Sequence, residues 1–156
     1  MWKYGSLKGV VGGIMEIKRD RSNKTKISLH DGKIQKIEVK KKSVEFFFEA
    51  MADYSDIKME YYPGSVLFKN VDPSNISVYI TKNLNLRKGK GKLEIYPLDK
   101  FVKKYGKNKL EIISETYSDY EIIWTGVFHK KNWEEFMIKI WTQGDMVYKM
   151  NTEKEE

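Results

Sequence analysis

The sequence predicts an α+β fold: two related β-rich halves, each with a short helix and one main amphipathic helix. Three observations predict it. Apolar and polar residues alternate over residues 26–30, 37–39 and 57–61, the period of a strand with one buried face. Val44, Phe47, Phe48 and Met51 fall at i, i+3, i+4 and i+7, one face of a helix. The layout of residues 41–61 then returns at 130–150, where five of 21 aligned positions are identical. A mainly-β barrel or sandwich is the alternative fold, and the alternative to duplication is that any amphipathic helix after a strand gives this layout.

In chain order, Leu7, Val10, Val11 and Ile14 predict a short helix, stopped by Gly12 and Gly13. Residues 14–17 begin the sheet, and 19–24 form a polar turn. The strand over 26–30 meets Asp31-Gly32, a pair that favours tight hairpins because Gly adopts positive φ without a Cβ clash. Ile34, Ile37 and Val39 mark the return strand; Ile34 is out of phase, which suggests a bulge. Ser43 caps the helix of Val44 to Met51, because its hydroxyl can accept from a free backbone N–H. Ile57, Met59 and Tyr61 form a strand that Pro63-Gly64 ends.

Residues 65–69 and 76–81 read as strands around a turn at 71–75, followed by a glycine- and lysine-rich loop over 83–92. Residues 93–96 are a strand broken by Pro97. Leu98, Phe101, Val102 and Tyr105 then restart the short-helix pattern. Strands follow at 110–114 and 120–124, with Thr125-Gly126 in the place of Asp31-Gly32 and a short return strand at Val127-Phe128. Asn132 caps a second main helix with Trp133, Phe136, Met137, Ile140 and Trp141 on its apolar face, and Met146 and Tyr148 mark the last strand. The divisions are thus 1–64, a first repeat; 65–97, connecting strands and a basic loop; 98–151, a diverged repeat; and 152–156, a charged tail.

This order of elements resembles the PATAN-type domains of prokaryotic regulators. The matching residues are Gly5-Ser6-Leu7, Gly13 to Ile17, Ile27 to Ile34, and the helix from Val44 to Met51. The resemblance implies a role in contacting protein partners and transfers no catalytic residues.

Chemistry is sparse. With no cysteine there is no disulfide framework and no thiolate metal site. The two histidines, His30 and His129, have no fixed partner in sequence. Neither Gly9-Val10-Val11-Gly12-Gly13 nor Gly89-Lys90-Gly91-Lys92 has the spacing of a dinucleotide or phosphate loop. No cofactor or metal is expected, and the protein reads as non-enzymatic. No apolar run is long enough to cross a membrane, and no secretory leader is read, so a cytoplasmic protein is expected. Abundant lysine and glutamate with little glutamine lean toward a hot-living source.

Charge is uneven. Between Lys82 and Lys109 stand ten basic residues and two acids, a surplus that exceeds the net +7 of the whole chain. Lys82, Arg87, Lys88, Lys90, Lys92, Lys103, Lys104, Lys107 and Lys109 are therefore candidates for binding nucleic acid or another polyanion. The preferred reading is a partner-binding regulatory or scaffolding protein. Trp2, Tyr4, Tyr61, Tyr62, Tyr117 and Tyr120 are its candidate contact residues, and the partner is another protein or a second copy in a C2 homodimer.

Overall fold

The computed structural model describes residues 8–11, 13–19, 26–129 and 133–153, and they are mostly strand. In chain order the strands are β1 (Lys8–Val11), β2 (Ile14–Lys18), β3 (Ile27–Ser28), β4 (Lys33–Val39), β5 (Ser43–Asp53) and β6 (Glu60–Lys69). After a 3-10 turn at Pro73–Asn75 come β7 (Ile76–Asn85), β8 (Lys90–Pro97), the helix α1 (Leu98–Tyr105), β9 (Leu110–Tyr117), β10 (Glu121–His129), β11 (Trp133–Trp141) and β12 (Met146–Asn151). The strands all belong to one antiparallel sheet that, among the described residues, does not close, in the order β1-β2-β12-β6-β5-β4-β9-β10-β11-β7-β8, with β3 also paired to β5.

The sheet has a narrow waist. Strands β4 and β9 pair only at Lys33–Glu111 and Ile34–Leu110. Beyond that waist the two halves curl toward each other. Phe46 of β5 and Phe68 of β6 pack against Trp124 of β10, with centroids at 5.0 and 5.8 Å. The three side chains are buried completely, with Phe128, Tyr148 and Met51. Each such side chain contributes roughly 1.5–3 kcal/mol through burial.

The expected α+β class is therefore corrected: both main helices are strands. In β5, Val44, Phe46 and Phe48 are buried in period two. The register shifts between Phe48 and Met51, so Glu49 and Ala50 form a bulge that returns Met51 to the core. A strand with this bulge buries 44, 48 and 51, the same positions a helix would. Phe46 decides between the two, and aromatic and β-branched residues favour the pleated form. In β11, Glu134, Phe136, Ile138 and Ile140 face inward, while Met137 and Lys139 do not. The short helix expected near the N-terminus is also strand, over Lys8–Val11. The element order quoted for the PATAN-type resemblance differs from the observed order at both of its helices.

Three expected breaks are not breaks. Asp31-Gly32 is a bend and not a hairpin, because β3 and β4 both pair antiparallel with the same strand, β5. Its backbone instead hooks β9: Asp31 N–H donates to Ile112 O at 2.8 Å, and Ile112 N–H to Gly32 O at 3.0 Å. Asp31 carries the positive φ, 62°. Pro63-Gly64 lies inside β6, with Pro63 opposite the β5 bulge, where proline removes no ladder bond. Thr125-Gly126 lies inside β10, at a bulge against β9.

Other expectations match. The β4 register shifts between Ile34 and Lys36. Asp72 caps the turn at 73–75 by accepting from Ser74 N–H at 2.9 Å. Helix α1 spans Leu98–Tyr105, with Leu98, Phe101 and Tyr105 buried. The expected turn at 19–24 lies largely outside the described residues. Among the described residues no helix is long and apolar enough to cross a membrane.

Candidate binding face

Strand alternation gives the second half of the sheet two faces. Trp124, Phe128, Phe136, Ile138, Val78 and Ile80 point into the core. Their chain neighbours point the other way, and cross-strand register lines them up. One row runs Thr125–Met137–Tyr79–Ile95, and the next runs Val127–Glu135–Thr81–Leu93. These strands enclose an open concavity of about 600 Å³, most of its lining apolar.

Its margins stay exposed: Leu93 is 59% and Ile95 58% accessible on β8, and Ile113 is 41% accessible on β9. Ile113 reaches this face because of the β9–β10 bulge. Ser114 pairs with Thr125 and Ile112 with Gly126, which leaves Ile113 as the extra residue. Gly126 is required there, since a Cβ would sit 1.8 Å from Glu111 O. The Ser114 and Thr125 hydroxyls hydrogen-bond at 2.5 Å on the same face.

A charged cluster borders the apolar area. Glu111 lies opposite Val127 on one side and Lys33 on the other, and its Oε2 lies 2.8 Å from His129 Nε2. Lys109 pairs with Glu49 close by. The hydrogen bond from Lys109 holds the Glu49 carboxyl below the usual range, against a partial burial cost and with help from the charges of Lys109, Lys33 and His129. Among the described residues no three His, Asp or Glu side chains gather to hold a metal.

The structure divides the nine basic candidates. Lys82 is used internally: its Nζ donates to Tyr105 OH at 2.8 Å and pairs with Glu94 at 3.2 Å. The Tyr105 bond, aided by Glu94, holds its ammonium above the usual lysine range despite burial. Tyr96 OH also donates to Glu94, Lys104 Nζ donates to Tyr96 OH at 3.4 Å, and Lys104 lies over the Tyr96 and Tyr105 rings. Arg87, Lys88 and Lys90 are exposed around the β7–β8 turn, with Lys92 next along β8. Lys103 and Lys104 are exposed on α1, and Lys107 in the turn after it. Lys109 belongs to the separate cluster with Glu49.

Four of the six aromatic candidates lie among the described residues, in different settings. Tyr61 is exposed on β6, and the neighbouring Tyr62 is half-buried with its hydroxyl donating to Glu60, which pushes the phenol up to about 12. Tyr117 works inside the structure. Its hydroxyl accepts from Trp124 Nε1 at 3.2 Å and donates to Glu115 at 2.6 Å, while Arg19 covers its ring at 4.6 Å. Burial, then Tyr148 and Glu115, raises its phenol well above the ordinary value. Tyr120 is exposed in the β9–β10 turn, and Trp2 and Tyr4 lie outside the described residues.

Sequence reasoning missed Tyr79, Leu93, Ile95, Ile113, Val127 and Met137. Except at Leu93, which stands between Lys92 and Glu94, their signal was consecutive apolar residues within strands, as in Phe136-Met137-Ile138. Such runs are expected where both faces of a strand are covered. No family model, curated protein or solved structure matches the chain.

Proposed function

We propose that the protein is a non-enzymatic partner-binding protein whose contact surface is the concave outer face of β9-β10-β11-β7-β8. One observation carries this reading: the face is apolar and concave, and its Leu93, Ile95 and Ile113 margins remain open. Exposed apolar patches of this kind mark binding surfaces in soluble proteins. The test is capture from the source organism with wild type and with a Met137→Glu, Val127→Glu variant as baits, after thermal melts show that both fold. Proteins held by the wild type and released by the variant support the reading. Identical capture by both baits, or none by either, overturns it.

A second reading, binding of nucleic acid, is favoured by one arrangement. The exposed Arg87, Lys88 and Lys90 of the β7–β8 turn belong to the same β8–α1 unit as Lys103, Lys104 and Lys107. Phosphate contacts release counterions, so affinity should fall steeply with salt and fall further when Arg87, Lys88, Lys90 and Lys92 are neutralised. A flat salt titration on DNA and RNA rejects it.

A further inference from the structure

We propose that the free edge of β8 docks an extended acidic segment of a partner protein, which adds as one more strand and alternates apolar with acidic side chains. The inference rests on the outer face being a binding surface and specifies what it binds. Strand β8 ends the sheet: it pairs with β7 on one side, and among the described residues no strand pairs with it on the other. An edge of this kind is a template for strand addition, in which backbone bonds supply affinity and alternate side chains supply selection.

The two faces of β8 dictate the pattern of the occupant. Leu93 and Ile95 lie on the concave face, continuing the rows of Thr81 and Tyr79. Lys92, Glu94 and Tyr96 lie on the opposite face, where Lys104 rests over Tyr96. Side chains directly opposite on paired strands share a face. The added strand therefore sets apolar residues beside Leu93 and Ile95, and carboxylates beside Lys92 and Lys104. Glu94 does not repel them strongly, because the half-buried Lys82 already meets its charge at 3.2 Å and Lys92 lies at 3.5 Å. Lys90 and Arg87 extend the basic edge toward the turn. Pro97, with no N–H to give, ends the available ladder at the other end.

Charge selects against two other occupants. In a second copy paired antiparallel along β8, the turn bearing Arg87, Lys88 and Lys90 would lie beside the partner's start of α1. Helix α1 carries Lys100, Lys103 and Lys104 against the single acid Asp99, so on balance like charges would meet. A nucleic-acid strand would satisfy the lysines but has no use for the apolar Leu93 and Ile95.

The test uses a fluorescein-labelled synthetic peptide of alternating glutamate and valine. A control of the same composition has its valines and glutamates in two blocks, and a single-stranded oligonucleotide serves as competitor. Anisotropy should show tighter binding of the alternating peptide than of the block peptide. The affinity should fall at least about tenfold, the size of one lost anchor, in both Leu93→Lys, Ile95→Lys and Lys90→Glu, Lys92→Glu. On the wild-type protein, amides of β8 should gain protection from hydrogen exchange when the peptide binds; this readout needs no variant to fold. Equal binding of the block peptide, unchanged β8 amides, displacement by the oligonucleotide, or a dimer in light scattering that Leu93→Lys dissolves would each overturn the proposal. If the Met137→Glu, Val127→Glu bait loses its partner while the alternating peptide fails to bind, the edge proposal falls and the binding face stands. If both fail, the face itself is wrongly assigned.

Discussion

Phe46 and Trp124 meet edge to face at 5.0 Å, although β5 and β10 are three strands apart in the sheet. A flat sheet would hold them roughly 14 Å apart, at about 4.8 Å per strand. The contact thus measures how far the sheet folds over at the β4–β9 waist. Trp124 also meets Phe48 and Phe68, so one side chain joins the two halves. Trp124→Ala should lower unfolding stability by about 3–5 kcal/mol, the usual cost of emptying an aromatic core site. Trp124→Phe should cost less, yet still remove the indole donor from the enclosed hydroxyl of Tyr117, which keeps its bond to Glu115. Urea titration followed by far-UV circular dichroism measures both. A Trp124→Ala loss below 1 kcal/mol, on the order of a surface change, would mean the halves do not share this core.

Two glycines of different kinds should respond in opposite ways. A Cβ on Gly126 would stand 1.8 Å from Glu111 O, a backbone atom that cannot retreat without opening the β9–β10 bulge. Gly126→Ala should therefore cost about 1–3 kcal/mol or more. Gly89 has φ +60° with nothing within 4 Å, so only its backbone conformation matters. Asparagine tolerates that conformation, and Gly89→Asn should change stability by no more than about 0.5 kcal/mol. Thermal melts of the two variants, run in parallel, decide the matter.

The Lys82–Glu94 pair sets a pH dependence. Burial works against the Glu94 charge, but Lys82 and Lys92 outweigh it and hold the carboxyl below its ordinary 4.5. A depressed carboxyl contributes stability above its unfolded value and loses it as pH falls through the folded one. Lys82 is raised above its ordinary 10.5, so its contribution is complete below that value and fades as pH rises through the folded one. Glu94→Gln should accordingly cost a constant amount between those limits, and the difference from wild type should shrink on acidification below 4.5. Urea midpoints measured across the acid range check it; a difference that grows in acid would reverse the assigned sign.

How far the sequence could be read follows from competition between periods. In α1, Leu98, Phe101, Val102 and Tyr105 are separated by Asp99, Lys100, Lys103 and Lys104, so no strand phase competes and the helix was legible. In β5, Phe46, Phe47 and Phe48 satisfy both phases, and the bulge that restores Met51 to the core lies opposite Pro63 of the neighbouring strand. That cross-strand information is absent from a local window. The basic segment was legible as charge. What Lys82 does was not, because its partner Tyr105 lies 23 residues away and is brought there by the packing of α1. The concave face was hidden for a related reason: Met137 and Val127 look like core residues until pairing shows which side of the strand each takes.

Stability and partner contact should separate at adjacent residues of β11. Ile138 is fully buried against the core, whereas Met137 faces the concavity, opposite Thr125 on one side and Tyr79 on the other. Ile138→Ala should cost about 2–5 kcal/mol, because the site cannot collapse around the missing methyl groups. Met137→Ala removes contacts on an open face and should cost under about 1 kcal/mol. Its effect should appear in partner capture, where an apolar anchor at the centre of a contact surface carries more weight than its share of area. Melts and captures on the two single variants give four readings. If Met137→Ala unfolds the protein as readily as Ile138→Ala does, the concave face is part of the core and loses its claim to a partner. If Met137→Ala leaves the melt intact and weakens capture, side-chain parity along β11 divides folding from function.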